Sequence, residues 1–247
     1  MRNLPPVIKN LLIINVLMFA ATNVLQLRDI DMEQMFGLHF FLADNFRPWQ
    51  LVTYMFMHGS FMHILFNMFA LWMFGRVIEH TMGMKRFLIF YFVCGIGAGI
   101  CQEVGQYIHY INLDVFPALD PITHKMADAV MVNTTRGDMV FALSDYINSW
   151  GCVGASGCIY GILLAFAMYF PNERMFIIPI PFPIKAKYFV LGYAVIEVMD
   201  VVTQAQDGIG HLAHLGGMLF ALILILIWRR WDKRRRIGTQ YVTFDSF

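Results

Sequence analysis

Long apolar runs separated by short polar stretches dominate the chain, and their lengths set the first reading. A helix needs roughly 20 mostly apolar residues to cross the hydrocarbon of a bilayer. Six runs approach that length, at residues 7–25, 57–77, 87–104, 153–170, 184–203 and 211–228. The pattern predicts an all-α, polytopic membrane protein with six transmembrane helices, folded as one domain over residues 1–247. A short basic cytoplasmic tail occupies 229–247. The first run reads as a helix and not as a signal peptide, because no convincing small-residue cleavage pattern follows it. Pro179, Pro181 and Pro183 alternate with apolar residues and cannot continue a helix, so the fifth span begins after them. Residues 27–56 carry Phe36, Phe40, Phe41, Phe46 and Trp49, which suit the outer interfacial region better than a plain solvated loop. His39 in that stretch reads as a surface histidine. Residues 106–150 form a long outer loop in which nothing is long enough to span.

Composition and charge sharpen this picture. Hydrophobic residues make up 58% of the chain and charged residues 14%, which excludes an ordinary soluble domain. With the N-terminus in the cytoplasm, 14 of the 18 Lys and Arg residues fall inside, leaving Arg28, Arg47, Lys125 and Arg136 outside. That bias follows the positive-inside rule and predicts cytoplasmic N- and C-termini. The net charge of +1 reflects two faces that cancel, and nothing points to nucleic acid. The expected setting is a bacterial cytoplasmic membrane, since no transit peptide is visible. Cys94, Cys101, Cys152 and Cys158 lack metal or redox spacing and read as small apolar filler, with a Cys101–Cys152 bridge as the alternative. Asn133-Thr-Thr135 fits a glycosylation sequon, a triplet that chance produces easily.

Candidate chemistry lies on the even-numbered spans. Ser156 stands in Gly154-Ala-Ser-Gly157, where small residues serve either close helix packing or a nucleophile that needs room for a carbonyl. His63 and Asn67 are four apart and share a helix face, as hydrogen-bonding glue between helices or as donors to an oxyanion. His211 and His214 open the last span; without a third histidine or an H-e-x-x-H pattern, a zinc site is not expected, and no cofactor is. Alternating topology puts His63, Ser156 and His214 at comparable depth, roughly 5–10 Å below the outer boundary at 1.5 Å per residue. At that depth His214 can take the Ser156 proton, Tyr160 can stack on the imidazole, and the Ser156 amide with His63 and Asn67 can face an oxyanion. No acid is evident behind His214, so a dyad is expected and not a triad. Glu197 and Asp200 on the fifth span are functional suspects as intramembrane carboxylates, yet near a helix end they could simply reach water. Glu79 reads as a structural acceptor.

These residues together resemble the rhomboid intramembrane serine proteases of the basic six-helix type. His58-Gly-Ser-Phe-Met-His63-Ile-Leu-Phe-Asn67 resembles the family's second-helix motif, and Gly75…Glu79…Gly83 the turn after it. Gly154-Ala-Ser156-Gly157-Cys-Ile-Tyr160-Gly161 resembles the nucleophile helix, and Ala213-His214-Leu-Gly-Gly217 the base helix. The resemblance implies Ser156 and His214 as the catalytic pair, and His63 and Asn67 as oxyanion support. Tyr160 would pack on His214, with Gly154, Gly157 and His58 as supporting residues. It also implies a segment before span two lying sideways in the outer leaflet, and a fifth span that helps to gate substrate entry. The close-packing G-x-x-x-G after the base becomes Gly217-Met-Leu-Phe-Ala221 here.

The expected function is therefore a serine endopeptidase. Its partners would be the bilayer and transmembrane protein substrates; the family resemblance implies cleavage near the outer leaflet at small residues beside helix-destabilising ones. The alternative is a catalytically silent rhomboid-like protein that binds and regulates membrane proteins, which would have no need to keep Ser156, His214, His63 and Asn67. A transporter using Glu197, Asp200 and the histidines as a proton relay would call for inverted repeats, and no convincing pair is present.

Overall fold

A computed structural model describes residues 4–119, 126–134, 137–175, 182–203 and 210–244. The chain is an integral membrane protein built mainly of helices. Four helical segments among the described residues are long and apolar enough to cross a membrane: Pro6–Gln26, Phe61–Met82, Met84–Ile111 and His211–Arg234. The fourth and fifth expected spans are α8 (Ser156–Tyr169) and α9 (Ala186–Thr203), and they differ from expectation. At 14 residues α8 is about 21 Å long, short of the roughly 30 Å hydrocarbon thickness. Nine of its residues are buried, so protein and not lipid surrounds it, and a short helix is tolerated there. In α9 the charged residues Lys187, Glu197 and Asp200 interrupt the apolar run.

Local chemistry explains the boundaries. Helix α1 (Pro6–Gln26) starts with proline at its first position, where a missing N–H costs nothing. Its next two amides, of Val7 and Ile8, donate to the buried Glu79 carboxylate at 3.1 and 2.8 Å. Glu79 sits on α5 (Arg76–Met82), so a side chain from a distant helix supplies the cap that Pro5 cannot. The second span was expected from residue 57, but α4 (Phe61–Ala70) begins four residues later, where the Ser60 hydroxyl accepts from the His63 amide at 3.2 Å. A π-helical turn over Leu71–Gly75 joins α4 to α5. Gly83 then takes φ +81° and turns the chain into α6 (Met84–Ile111). The last helix, α10 (His211–Phe244), packs mainly on α6 and α8 and carries the basic stretch onward as helix. Arg86 of α6 forks onto Asp232 of α10 at 2.8 and 2.6 Å.

Outside the bundle, residues 27–56 fold into α2 (Met32–Phe36), the two-residue strand β1 (Leu38–His39), α3 (Gln50–Thr53) and a 3-10 turn at Tyr54–Phe56. The loop after α6 holds structure that the helical pattern did not anticipate. Strands β2 (Val115–Leu119), β3 (Met126–Thr134) and β4 (Gly137–Ala142) form an antiparallel sheet, with Val115 opposite Val130 and Val132 opposite Met139. Helix α7 (Leu143–Asn148) follows, and its Ile147 packs with Phe40 and Ala43 in a small apolar cluster. Strand β5 (Gly151–Cys152) pairs antiparallel with β1. Pro179, Pro181 and Thr135 of the sequon, together with the side chain of Asn133, lie outside the described residues.

Candidate active site

The approach to Ser156 is held from both sides. Pairing of β1 with β5 aligns the chain, and the Gly154 amide then donates to the Tyr54 carbonyl at 2.9 Å. Gly154 has φ +129°, a conformation L side chains rarely adopt. A Cβ there would lie 2.7 Å from His63 Nε2 and 3.6 Å from Ser156 Oγ, so the ring and the hydroxyl flank the same point above Gly154. Ser156 is the first residue of α8, His63 the third of α4 and His214 the fourth of α10. All three line a cavity of about 390 Å³.

Within that cavity the Ser156 hydroxyl donates to His214 Nε2 at 2.9 Å. The Tyr160 ring lies flat on the imidazole, with centroids 4.1 Å apart and planes 7° from parallel. Close approach of α8 and α10 makes this possible: a Cβ on Gly217 would sit 1.9 Å from the Gly157 carbonyl oxygen. Only glycine allows the two backbones to meet there.

The other side of His214 is occupied by Glu197. His214 Nδ1 donates to Glu197 Oε1 at 2.9 Å, His211 Nδ1 lies 2.7 Å from Oε2, and the Tyr160 hydroxyl donates to Oε1. Glu197, His211 and His214 are all buried. An ionised Glu197 carboxylate would only accept from these three partners. His214 would then carry its proton on Nδ1 and leave Nε2 to accept from Ser156. Asp200 stands further off, at 3.8 Å from His211 Nδ1.

Two further expected residues, Asn67 and His58, lie on the His63 side and line neither of the two cavities that His63 borders. Asn67 is buried one turn beyond His63, and its Nδ2 has no hydrogen-bond partner among the described residues. His58 is buried edge-on to His63, centroids 5.1 Å apart, and neither of its ring nitrogens makes a hydrogen bond of normal geometry among the described residues. A second cavity of about 630 Å³ shares His63, Cys152, Val153 and Gly210 with the first and opens past Asp31, Glu33 and Gln106. Burial, with Asp31 nearby, raises the Glu33 carboxyl above its ordinary value.

The Rhomboid domain family model matches residues 45–113 and 123–231. The chain belongs to the rhomboid family. It is 23% identical over 198 residues to the rhomboid protease AarA of Providencia stuartii, an alignment that covers 79% of this chain and 61% of that protein. It is 26% identical over 141 residues to the rhomboid protease GlpG of Salmonella paratyphi A, covering 51% of this chain and 49% of the relative. The chain thus spans less than two thirds of the length of these two relatives.

In this rhomboid the expected residues meet: Ser156, His214 and Tyr160 are in direct contact, and His63 and Gly154 adjoin them. Three expectations need correction. An acid does stand behind His214, because α9 turns Glu197 inward onto α10 and not outward to water. His211 and His214 do gain a third donor, since ligand atoms of Glu197, His211 and His214 lie within 4.8 Å of one another. Their mutual hydrogen bonds satisfy these atoms without an ion. His39 is buried rather than superficial: Asn45 Nδ2 donates to its Nδ1 at 3.0 Å, and its Nε2 lies 3.2 Å from the Gln34 carbonyl. The four cysteines, Cys101 and Cys152 included, are free thiols. An acidic residue within the fifth apolar run was the available signal for Glu197, shared with Asp200; the face of α9 that carries each could not be read from spacing.

Proposed function

We propose that the chain is an intramembrane serine endopeptidase that cuts transmembrane segments of membrane proteins near the outer leaflet. The observation that carries this reading is the 2.9 Å hydrogen bond from Ser156 Oγ to His214 Nε2, inside a cavity open to water. As a scissile carbonyl approaches, His214 Nε2 takes the Ser156 proton while Oγ bonds to the carbonyl carbon. The carbonyl π electrons move onto oxygen, and the Ser156 amide, His63 and Asn67 donate to it. Asn67 Nδ2, buried and without a partner among the described residues, suits a donor that is completed by substrate. When the adduct collapses, the C–N bond breaks and the departing amine takes its proton from His214. Water entering through the outer cavity then gives a proton to His214, attacks the acyl carbon and releases the acid and Ser156.

The chain forms one membrane domain with its N-terminus and basic C-terminal segment in the cytoplasm, a reading supported by 14 of 18 basic residues on one side. A bacterial cytoplasmic membrane is the proposed location. The test compares the full chain with Ser156→Ala on single-span substrates in detergent and in liposomes, beside a serine-directed fluorophosphonate probe. Cleavage and labelling are expected to disappear together. Wild-type protein that neither cleaves nor labels in either setting would overturn the reading.

A further inference from the structure

We propose that Glu197 is a positioning residue that completes a Ser156–His214–Glu197 relay, with His211 and Tyr160 holding the carboxylate in place; this rests on the protease reading above. A hydroxyl-to-imidazole pair alone leaves the imidazole free to turn and to exchange tautomers. Here Glu197 Oε1 holds the Nδ1 side of His214 while Ser156 holds the Nε2 side, so the ring bridges two partners, one at each nitrogen. Accepting at Nδ1–H, the carboxylate selects the tautomer whose Nε2 lone pair can remove the serine proton. Once that proton arrives, the imidazolium lies against a buried negative charge, where low dielectric strengthens the attraction.

The carboxylate itself is braced. His211 Nδ1 holds Oε2 at 2.7 Å, and the Tyr160 hydroxyl shares Oε1 with His214. Tyr160 therefore acts twice, by stacking on the base and by anchoring the acid behind it. The three side chains come from α8, α9 and α10, so the relay also ties the fifth apolar segment to the catalytic pair. A divalent cation on Glu197, His211 and His214 is the competing use of the same donors. It would take the Nδ1 lone pair of His214, move the ring proton to Nε2 and leave nothing to accept the Ser156 proton.

The test uses the full-length chain with Glu197→Gln, Glu197→Asp and Ser156→Ala, read by kcat and KM on a single-span substrate. Nitrogen-15 histidine spectra report the His214 tautomer, with His214→Asn identifying the resonance. An amide at position 197 is expected to lower kcat about 10²- to 10⁴-fold with KM little changed. The same substitution should move His214 away from the Nδ1–H tautomer, and Glu197→Asp should restore that tautomer and part of kcat. A purely structural glutamate would change the yield of folded protein without this pattern. Glu197→Gln with kcat within about twofold of wild type, while Ser156→Ala is inactive, would overturn the relay and leave the protease reading standing. Should the amide variant not fold, Glu197→Asp carries the kinetic test: a tenfold or so lower kcat at unchanged KM is expected, and wild-type kcat would overturn the relay. Should wild type cleave nothing, an unmoved His214 tautomer in Glu197→Gln would still refute the relay. Stoichiometric zinc in purified protein, lost on Glu197→Gln, would make the carboxylate a metal ligand and also overturn it.

Discussion

Two pairs of histidines face each other across the candidate active site, and they are treated in opposite ways. His211 and His214 on α10 are engaged on a shared carboxylate, and His214 is further bonded to Ser156 and covered by Tyr160. His58 and His63 on the α4 side meet only edge-on, and Asn67 beyond them keeps an unpartnered amide among the described residues. The first group is complete before any substrate arrives, as a base must be if its tautomer and direction are to be right. The second contains the buried Asn67 amide, which has no hydrogen-bond partner among the described residues, an arrangement that is costly unless an acceptor is supplied. Preorganisation on one wall and unsatisfied donors on the other are what an acyl-transfer site needs, because negative charge develops on only one side of the carbonyl.

The comparison can be broken or sharpened by substitution. Removing the nucleophile with Ser156→Ala should have the largest effect, a loss of at least about 10⁴-fold in kcat/KM, read as product bands from a single-span substrate. Asn67→Ala removes an unengaged donor; it should lower kcat about 10²- to 10³-fold with little change in KM, and an undiminished kcat would remove Asn67 from the oxyanion wall. Tyr160→Phe keeps the ring on His214 but loses the hydroxyl on Glu197, so a decrease of about tenfold is expected in the same assay. Tyr160→Ala should fall further, because stacking is lost as well. His58→Phe should change kcat/KM least, by less than about threefold, since the proposed reaction asks no hydrogen bond of it. Its thermal midpoint should hold or rise, because two poorly satisfied buried nitrogens are replaced by apolar ring.

Much of this arrangement was legible in the sequence. Ser156, His214 and His63 could be placed in one layer from helix spacing and depth, because helices that enter from one side place early residues in one layer. Tyr160 followed from the four-residue repeat. Glu197 could be suspected but not assigned, since its role depends on how α9 is rotated against α10, and an apolar run facing lipid on most sides does not encode that angle. The strands of residues 115–142 were hidden for a different reason. The stretches Val115–Leu119 and Met126–Thr134 lack the strict apolar–polar alternation of a half-buried strand, and pairing across a loop is a non-local property. The length of α8 was overestimated because the apolar run continues past the helix, from Val153 to Ala155 at one end and to Phe170 at the other.

The pairing of Leu38 with Cys152 and of His39 with Gly151 has a mechanical consequence. Four residues before the nucleophile, the backbone is stitched to the aromatic segment that rims the outer cavity, and His39 anchors that segment further through Gln34 and Asn45. Rim and nucleophile therefore share one tether. A force that lifts the rim, from a substrate helix wedging in or from a thinning bilayer, pulls on the same short piece of chain that aims Ser156. This two-residue pairing is one of the contacts, with the Gly154–Tyr54 hydrogen bond, through which movement of the rim would reach Ser156.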